Sequence, residues 1–147
     1  MLKGIDPLLT PDLLKHLCAM GHGEWVAVVD ANFTADWLAQ GRIPVVRLPG
    51  NDLARVSRAV LSVLPLAVDV AQPAAYMRVC ASVDGHRTAA QQAVVDLVVG
   101  EGRRADEVEA VERFAFYEKI KGASLIVQSG EATAYGNALF CKGVILV

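Results

Sequence analysis

Basic charge is scarce in this chain: 14 lysines and arginines stand against 16 aspartates and glutamates in 147 residues, a formal net charge of -2. A balance of that kind leaves no basic surface for nucleic acid or anionic lipid. Cysteine is scarce too, and Cys18, Cys80 and Cys141 are odd in number, far apart and without paired ligand spacing. That excludes a disulfide framework and a cysteine metal cluster, and it predicts reduced thiols in apolar surroundings. No metal and no cofactor is expected. Long hydrophobic runs are missing as well: the most apolar stretch, Ala59 to Ala71, is broken by Ser62, Pro65 and Asp69 and falls short of the roughly 20 residues a membrane-spanning helix needs. Lys3 and Asp6 interrupt the start before any apolar leader forms, so a cytoplasmic location is the expectation. Repeats, low-complexity segments, a P-loop, a G-x-S-x-G elbow and a His-x-x-x-His pair are all lacking. The G-x-G at Gly21 to Gly23 precedes a strand, whereas a dinucleotide loop follows one and opens a helix.

What the chain has in surplus is apolar content, 54%, enough to give a single domain over residues 1–147 a substantial core and to leave apolar surface for subunit interfaces. The stretch around which the rest is organised is GHGEWVAVVDAN, Gly21 to Asn32. Its apolar run, Trp25 to Val29, reads as a strand covered on both faces inside an α/β sheet. The run stops at Asp30, which places an acid at the carboxyl edge, where open α/β sheets bind ligands. His22 lies between two glycines that permit close backbone approach and a left-handed turn. With an ordinary pKa of about 6.5, a histidine is suited to give and take protons near neutrality. Spacing alone leaves two readings of it open, a proton-transfer group and a partly exposed residue after a helix C-cap.

Elsewhere the pattern predicts a helix from Thr10-Pro11-Asp12 to about Met20, with Lys15 and His16 outward and Gly21 ending it. A loop from Asn32-Phe33-Thr34 follows, then a short strand Pro44 to Leu48 and a turn at Pro49 to Asp52 that caps a helix to about Leu64. Ala75 to Val83 alternates loosely before a turn at Asp84-Gly85. Helices are predicted over Gln91 to Val99 and Asp106 to Lys121, a strand over Ser124 to Gln128, and a last strand over Ala138 to Val147.

Two further constellations carry chemistry. In Arg113-Phe114-Ala115-Phe116-Tyr117-Glu118, three of the chain's nine aromatics crowd together, with Arg113 one turn before Tyr117 on the same helix face. Two core phenylalanines with Arg113 and Tyr117 at the margin is one reading. The other is a cationic donor beside flat rings, the combination that binds sugars. Tyr135-Gly136-Asn137 is a turn before a strand, yet it also offers close approach, an amide and a hydroxyl.

Taken together, LLTPDLLKHLCAMGHGEWVAVVDANF, RFAFYEKI and GEATAYGNALFCKGV resemble, in residues, order and spacing, the fucose mutarotase family, whose sister branch is ribose pyranase. Arg47, Asp52 and Leu53 also fit, while the segment from about Leu66 to Glu112 diverges. The resemblance implies a three-layer α/β/α sandwich with a central, largely buried sheet, and a ring-like homo-oligomer of up to ten subunits with sites near subunit contacts. It implies an isomerase that interconverts the α and β anomers of L-fucose or a related free sugar. The family's active histidine falls on His22 and its sugar-binding positions on Asp30, Arg113, Tyr135, Gly136 and Asn137. In that scheme His22 is the proton donor, Asp30 orients hydroxyls or the imidazole, Arg113 and Asn137 fix the sugar, and Tyr135 or Tyr117 closes the site. Asn32 and Thr34 stand where fucose enzymes of the family often carry histidine and proline. A pyranase acting on ribose and a sugar-binding module without catalysis are the alternatives.

Overall fold

A computed structural model describes residues 2–146. Along the chain run α1 (Pro11–Ala19), β1 (Trp25–Val29), α2 (Ala35–Ala39), β2 (Val45–Leu48), α3 (Leu53–Leu61), β3 (Ala74–Met77), α4 (Ala89–Gly100), a single 3-10 turn (Ala105–Glu107), β4 (Val108–Val111), α5 (Arg113–Lys121), β5 (Leu125–Ser129) and β6 (Ala138–Cys141). The six strands form one sheet in the order β2-β5-β1-β6-β3-β4. Only β6 runs against the others, pairing antiparallel with both β1 and β3. Five strands therefore end at one edge, and β6 begins there.

Alternation along the strands divides the core in two. Val26, Val28, Leu125, Val127 and Phe140 face one layer with Leu13, Val56, Val60, Val94 and Val98 from α1, α3 and α4. Ala27, Val29, Ile126 and Leu139 face the other, where Leu38 of α2 and Phe116 and Ile120 of α5 cover them. This is a three-layer α/β/α sandwich with a buried central sheet, and β1, the apolar run beside Asp30, lies in its middle, with Val26 through Val29 inaccessible to solvent. No helix among the described residues is long and apolar enough to cross a membrane.

The helix starts follow from capping chemistry. The Thr10 hydroxyl accepts from the Leu13 N–H with Pro11 at the first helical position, Asp52 accepts from the Arg55 N–H at 2.7 Å, and Thr88 and Gln91 form a reciprocal capping box at α4; each satisfies a donor that a helix end otherwise orphans.

Several expectations need correction. The helix predicted from Asp106 to Lys121 begins only at Arg113, because Val108–Val111 is an edge strand pairing parallel with β3. Its two valines bury on opposite faces, Glu109 pairs with Lys119 at 3.0 Å, and Glu112 is the N-cap of α5, so charges that mimic a polar helix face belong to an edge strand and a cap. α2 forms where a loop was expected. The stretch from Ala75 pairs only as far as Met77, and the last strand ends at Cys141, leaving Val144, Ile145 and Leu146 exposed; Val147 is outside the described residues. α1 ends at Met20 in extended conformation, its carbonyl accepting from the Lys142 amine, and the left-handed residue of the histidine turn is Gly23, with φ +82°. Cys18 and Cys80 are exposed and only Cys141 is buried. His16 is half-buried beside Asp12 at 3.5 Å.

Candidate active site

At the carboxyl edge of the sheet the strand ends and their loops surround a pocket of about 360 Å³ lined by Asp30, Asn32, Phe33, Thr34, Met77, Arg113, Tyr117, Ala134, Tyr135 and Asn137. The volume lies toward the small end of ligand sites. Asp30 leaves β1 with its side chain only 6% exposed, and a buried carboxylate needs partners. Its Oδ2 accepts from Asn137 Nδ2 at 2.9 Å, its Oδ1 accepts from the Asn32 N–H at 2.9 Å, and its own N–H donates to Asn137 Oδ1 at 2.9 Å. The Asp30 and Asn137 side chains are thus locked together across the junction of β1 and β6. Burial pushes the Asp30 carboxyl above the ordinary aspartate range, and the Asn137 amide opposes that rise.

The first turn of α5 supplies the second wall. Arg113 Nε donates to the Tyr117 hydroxyl at 2.9 Å, and the guanidinium carbon lies 5.5 Å from the Tyr117 ring centroid and 5.6 Å from that of Phe114. Stacked and bonded in this way, the guanidinium is a preorganised donor with N–H groups left over, since only Nε is engaged by the tyrosine. Phe33 meets Tyr117 edge-on with centroids 5.7 Å apart, so the wall offers apolar rings and a cationic fork together. Of the two phenylalanines expected in the core, Phe116 is buried and Phe114 is 67% exposed.

The third wall is the turn before β6. Tyr135 takes φ +64°, a left-handed conformation uncommon for a bulky side chain. Its hydroxyl is held above its ordinary pKa range by its contact with Cys80, and as a neutral phenol it can donate and accept. Gly136 follows because no side chain fits: a Cβ there would lie 2.6 Å from Glu131 Cγ and 2.9 Å from the Thr133 carbonyl oxygen.

Of the sequence-derived candidates, Asp30, Arg113, Tyr117, Tyr135 and Asn137 line this pocket, and Gly136 shapes its turn. His22 does not join them. It precedes β1 while Asp30 follows it, and the five-residue strand alone separates the two by about 17 Å. The imidazole is 44% exposed, and its Nε2 lies 2.9 Å from Asp69 Oδ1, so its carboxylate partner within the chain is Asp69. Asp69 is held below the usual aspartate range by that contact.

Sequence reasoning missed Phe33, Met77, Ala134 and Gln128 as parts of the site. Gln128 donates to the carbonyl oxygens of Asp30, Ala31 and Phe33 at 3.3, 3.2 and 3.1 Å and so anchors the loop after β1. Proximity to Asp30 is the available signal for Phe33. Met77 and Gln128 carry none, since only the sheet order brings the ends of β3 and β5 to this edge. Among the described residues no three His, Cys, Asp or Glu side chains gather as a metal site.

The chain is 40% identical to human fucose mutarotase, covering 98% of this chain and 94% of that protein, and 37% identical to L-fucose mutarotase of Glaesserella parasuis serovar 5, covering 98% and 96%. The fold superposes on the crystal structure of the Streptococcus pneumoniae fucose mutarotase in complex with L-fucose with a TM-score of 0.87, at 30% identity over 99% of this chain and all of that one. The profile of the RbsD / FucU transport protein family matches residues 3–145. With its sequence matched almost from end to end and its sheet reproduced, the chain belongs to the RbsD / FucU family.

Proposed function

We propose that this chain is a monosaccharide mutarotase that interconverts the α and β anomers of L-fucose or a closely related free sugar. The observation that carries the reading is the convergence, in one small pocket, of a buried carboxylate locked to an amide and an aromatic-stacked guanidinium. Relatives named fucose mutarotase and a structural neighbour solved with L-fucose support it.

Anomer exchange requires the ring to open. A proton must reach the ring oxygen while one leaves the anomeric hydroxyl, and the steps reverse as the ring closes on the other face. Asp30 serves as the acceptor for sugar hydroxyls, and water takes the proton that leaves the anomeric hydroxyl. Asn137, both of whose amide ends are engaged by Asp30, acts mainly by holding that carboxylate in place. Arg113 donates to sugar oxygens, and the rings of Phe33, Tyr117 and Tyr135 cover the C–H surface. Proton transfer of this kind contributes about 100- to 10,000-fold, enough to matter for a reaction that already proceeds slowly in water.

His22 serves as the proton donor to the pocket of another copy of the chain, in a ring-like homo-oligomer. What supports this is its place: it stands exposed at the opposite sheet edge, in contact with Asp69, whose chain neighbour Val68 is exposed as well. A cytoplasmic location goes with free cysteines and a free-sugar substrate.

Saturation-difference NMR tests the activity. Saturating one anomeric proton of L-fucose should transfer to the other anomer in the presence of the protein, and His22→Ala should abolish the transfer. Exchange with D-ribose but not L-fucose would make the chain a pyranase, and transfer undiminished in His22→Ala would remove the histidine from the chemistry.

A further inference from the structure

We propose that Gln91 is a positioning residue for this pocket, its one side-chain amide tying the end of β3 to the Tyr135 turn so that Met77 and Tyr135 form one fixed wall. The inference rests on the sugar-site reading above and adds a residue that touches no substrate. Gln91 enters from the first turn of α4, beneath the pocket, and is fully buried. Its Nε2 donates to the Met77 carbonyl at 2.7 Å and to the Tyr135 carbonyl at 3.1 Å, while its Oε1 accepts from the Thr88 N–H at 2.9 Å. All three partners are backbone groups of fixed polarity, so the orientation of the amide is determined by them.

The helix cap needs only the acceptor. A glutamate would complete the same capping box, so capping alone does not require the amide's two donors. Both point instead at segments that line the pocket. The Met77 N–H donates to the Asn137 carbonyl at 3.1 Å, and the Asn137 N–H donates to the Tyr135 carbonyl at 2.9 Å. Gln91 thus closes a circuit through Met77, Asn137 and Tyr135. The clamp matters most at Tyr135, whose left-handed backbone persists only where its surroundings over-determine it. Without the second donor on its carbonyl, the turn is free to relax toward negative φ, and the ring then leaves the pocket.

The test uses the full-length protein and two volume-conserving variants. Gln91→Glu keeps the acceptor for Thr88 and, as the neutral acid its burial favours, leaves at most one donor for the two carbonyls; Gln91→Met removes all three bonds. In Gln91→Glu the KM for L-fucose anomer exchange should rise about tenfold, the scale of one or two hydrogen bonds, with kcat little changed, because neither Met77 nor Tyr135 transfers the proton. Amide exchange at Gly136 and Asn137 should quicken while Val94, Val95 and Val98 of α4 keep their parent rates. Should Gln91→Glu fail to fold, the same split is read from Gln91→Met. A KM equal to the parent's, or amides of the turn and of α4 that accelerate together, would overturn the proposal. If the parent protein itself exchanges no fucose anomers, the mutarotase reading fails, and the amide-exchange pattern still decides the clamp.

Discussion

Asp30 is the residue at which fold and function compete. A carboxylate 6% exposed is costly unless bonded, and here both of its oxygens accept, one from Asn137 and one from Asn32. Burial nonetheless wins, and the folded pKa lies above the ordinary one. For an acid shifted in that direction, the stabilising contribution is fully present below the unfolded value of about 3.9 and is lost as pH rises through the folded value. Asp30→Asn removes that dependence. Urea unfolding at pH 4 and pH 7 should therefore show the variant gaining on the parent as pH rises, while sugar binding weakens, because the asparagine has one acceptor where the carboxylate has two. A stability difference that does not change between the two pH values would mean that Asp30 is solvated in the folded protein. Asp30 was legible from the chain because a charged residue ending an apolar run has few roles. Its bond to Asn137, 107 positions away, was not, since only the antiparallel insertion of β6 beside β1 makes them neighbours.

At the scale of elements, the site depends on how α5 starts. Glu112 accepts from the N–H groups of Phe114 and Ala115 at 2.8 and 3.3 Å, fixing the turn that presents Arg113 and Tyr117 to the pocket. Removing an N-cap costs about 1 kcal/mol, equivalent to a few degrees in Tm for a chain of this size. Glu112→Ala should therefore lower Tm by that amount and raise the KM for fucose, while Glu112→Asp, a good cap in its own right, should recover most of both. A KM unchanged in Glu112→Ala would show that the Arg113 wall does not depend on the cap. This is also the place where the pattern misled. The acids from Asp106 to Glu112 read as the polar side of one long helix, because local periodicity does not distinguish an edge strand with one charged flank from the start of a helix. Pairing with β3 decides it, and that pairing is a tertiary fact. The helices α1 and α3, whose hydroxyl and carboxylate caps stand in the sequence, and the apolar strand β1 were legible because their signals are local.

At the scale of the molecule, the sheet places the two halves of the proposed chemistry at opposite edges. Within one chain no rearrangement short of unfolding β1 brings His22 to Asp30. The resemblance in sequence named both residues but could not show that separation, which appears only when β1 is seen to span the space between them. On the proposed reading, one acid–base site is accordingly assembled from the Asp30 pocket of one copy and His22 of another. The most direct measurement is to unfold and refold His22→Ala and Asp30→Ala proteins together in equal amounts and follow L-fucose anomer exchange by NMR. Each variant alone should be inactive. In random mixed oligomers about a quarter of the sites combine an intact pocket with an intact histidine, so the mixture should recover about that fraction of parental activity. A mixture as inactive as its two components, although shown to have co-assembled, would contradict the shared site.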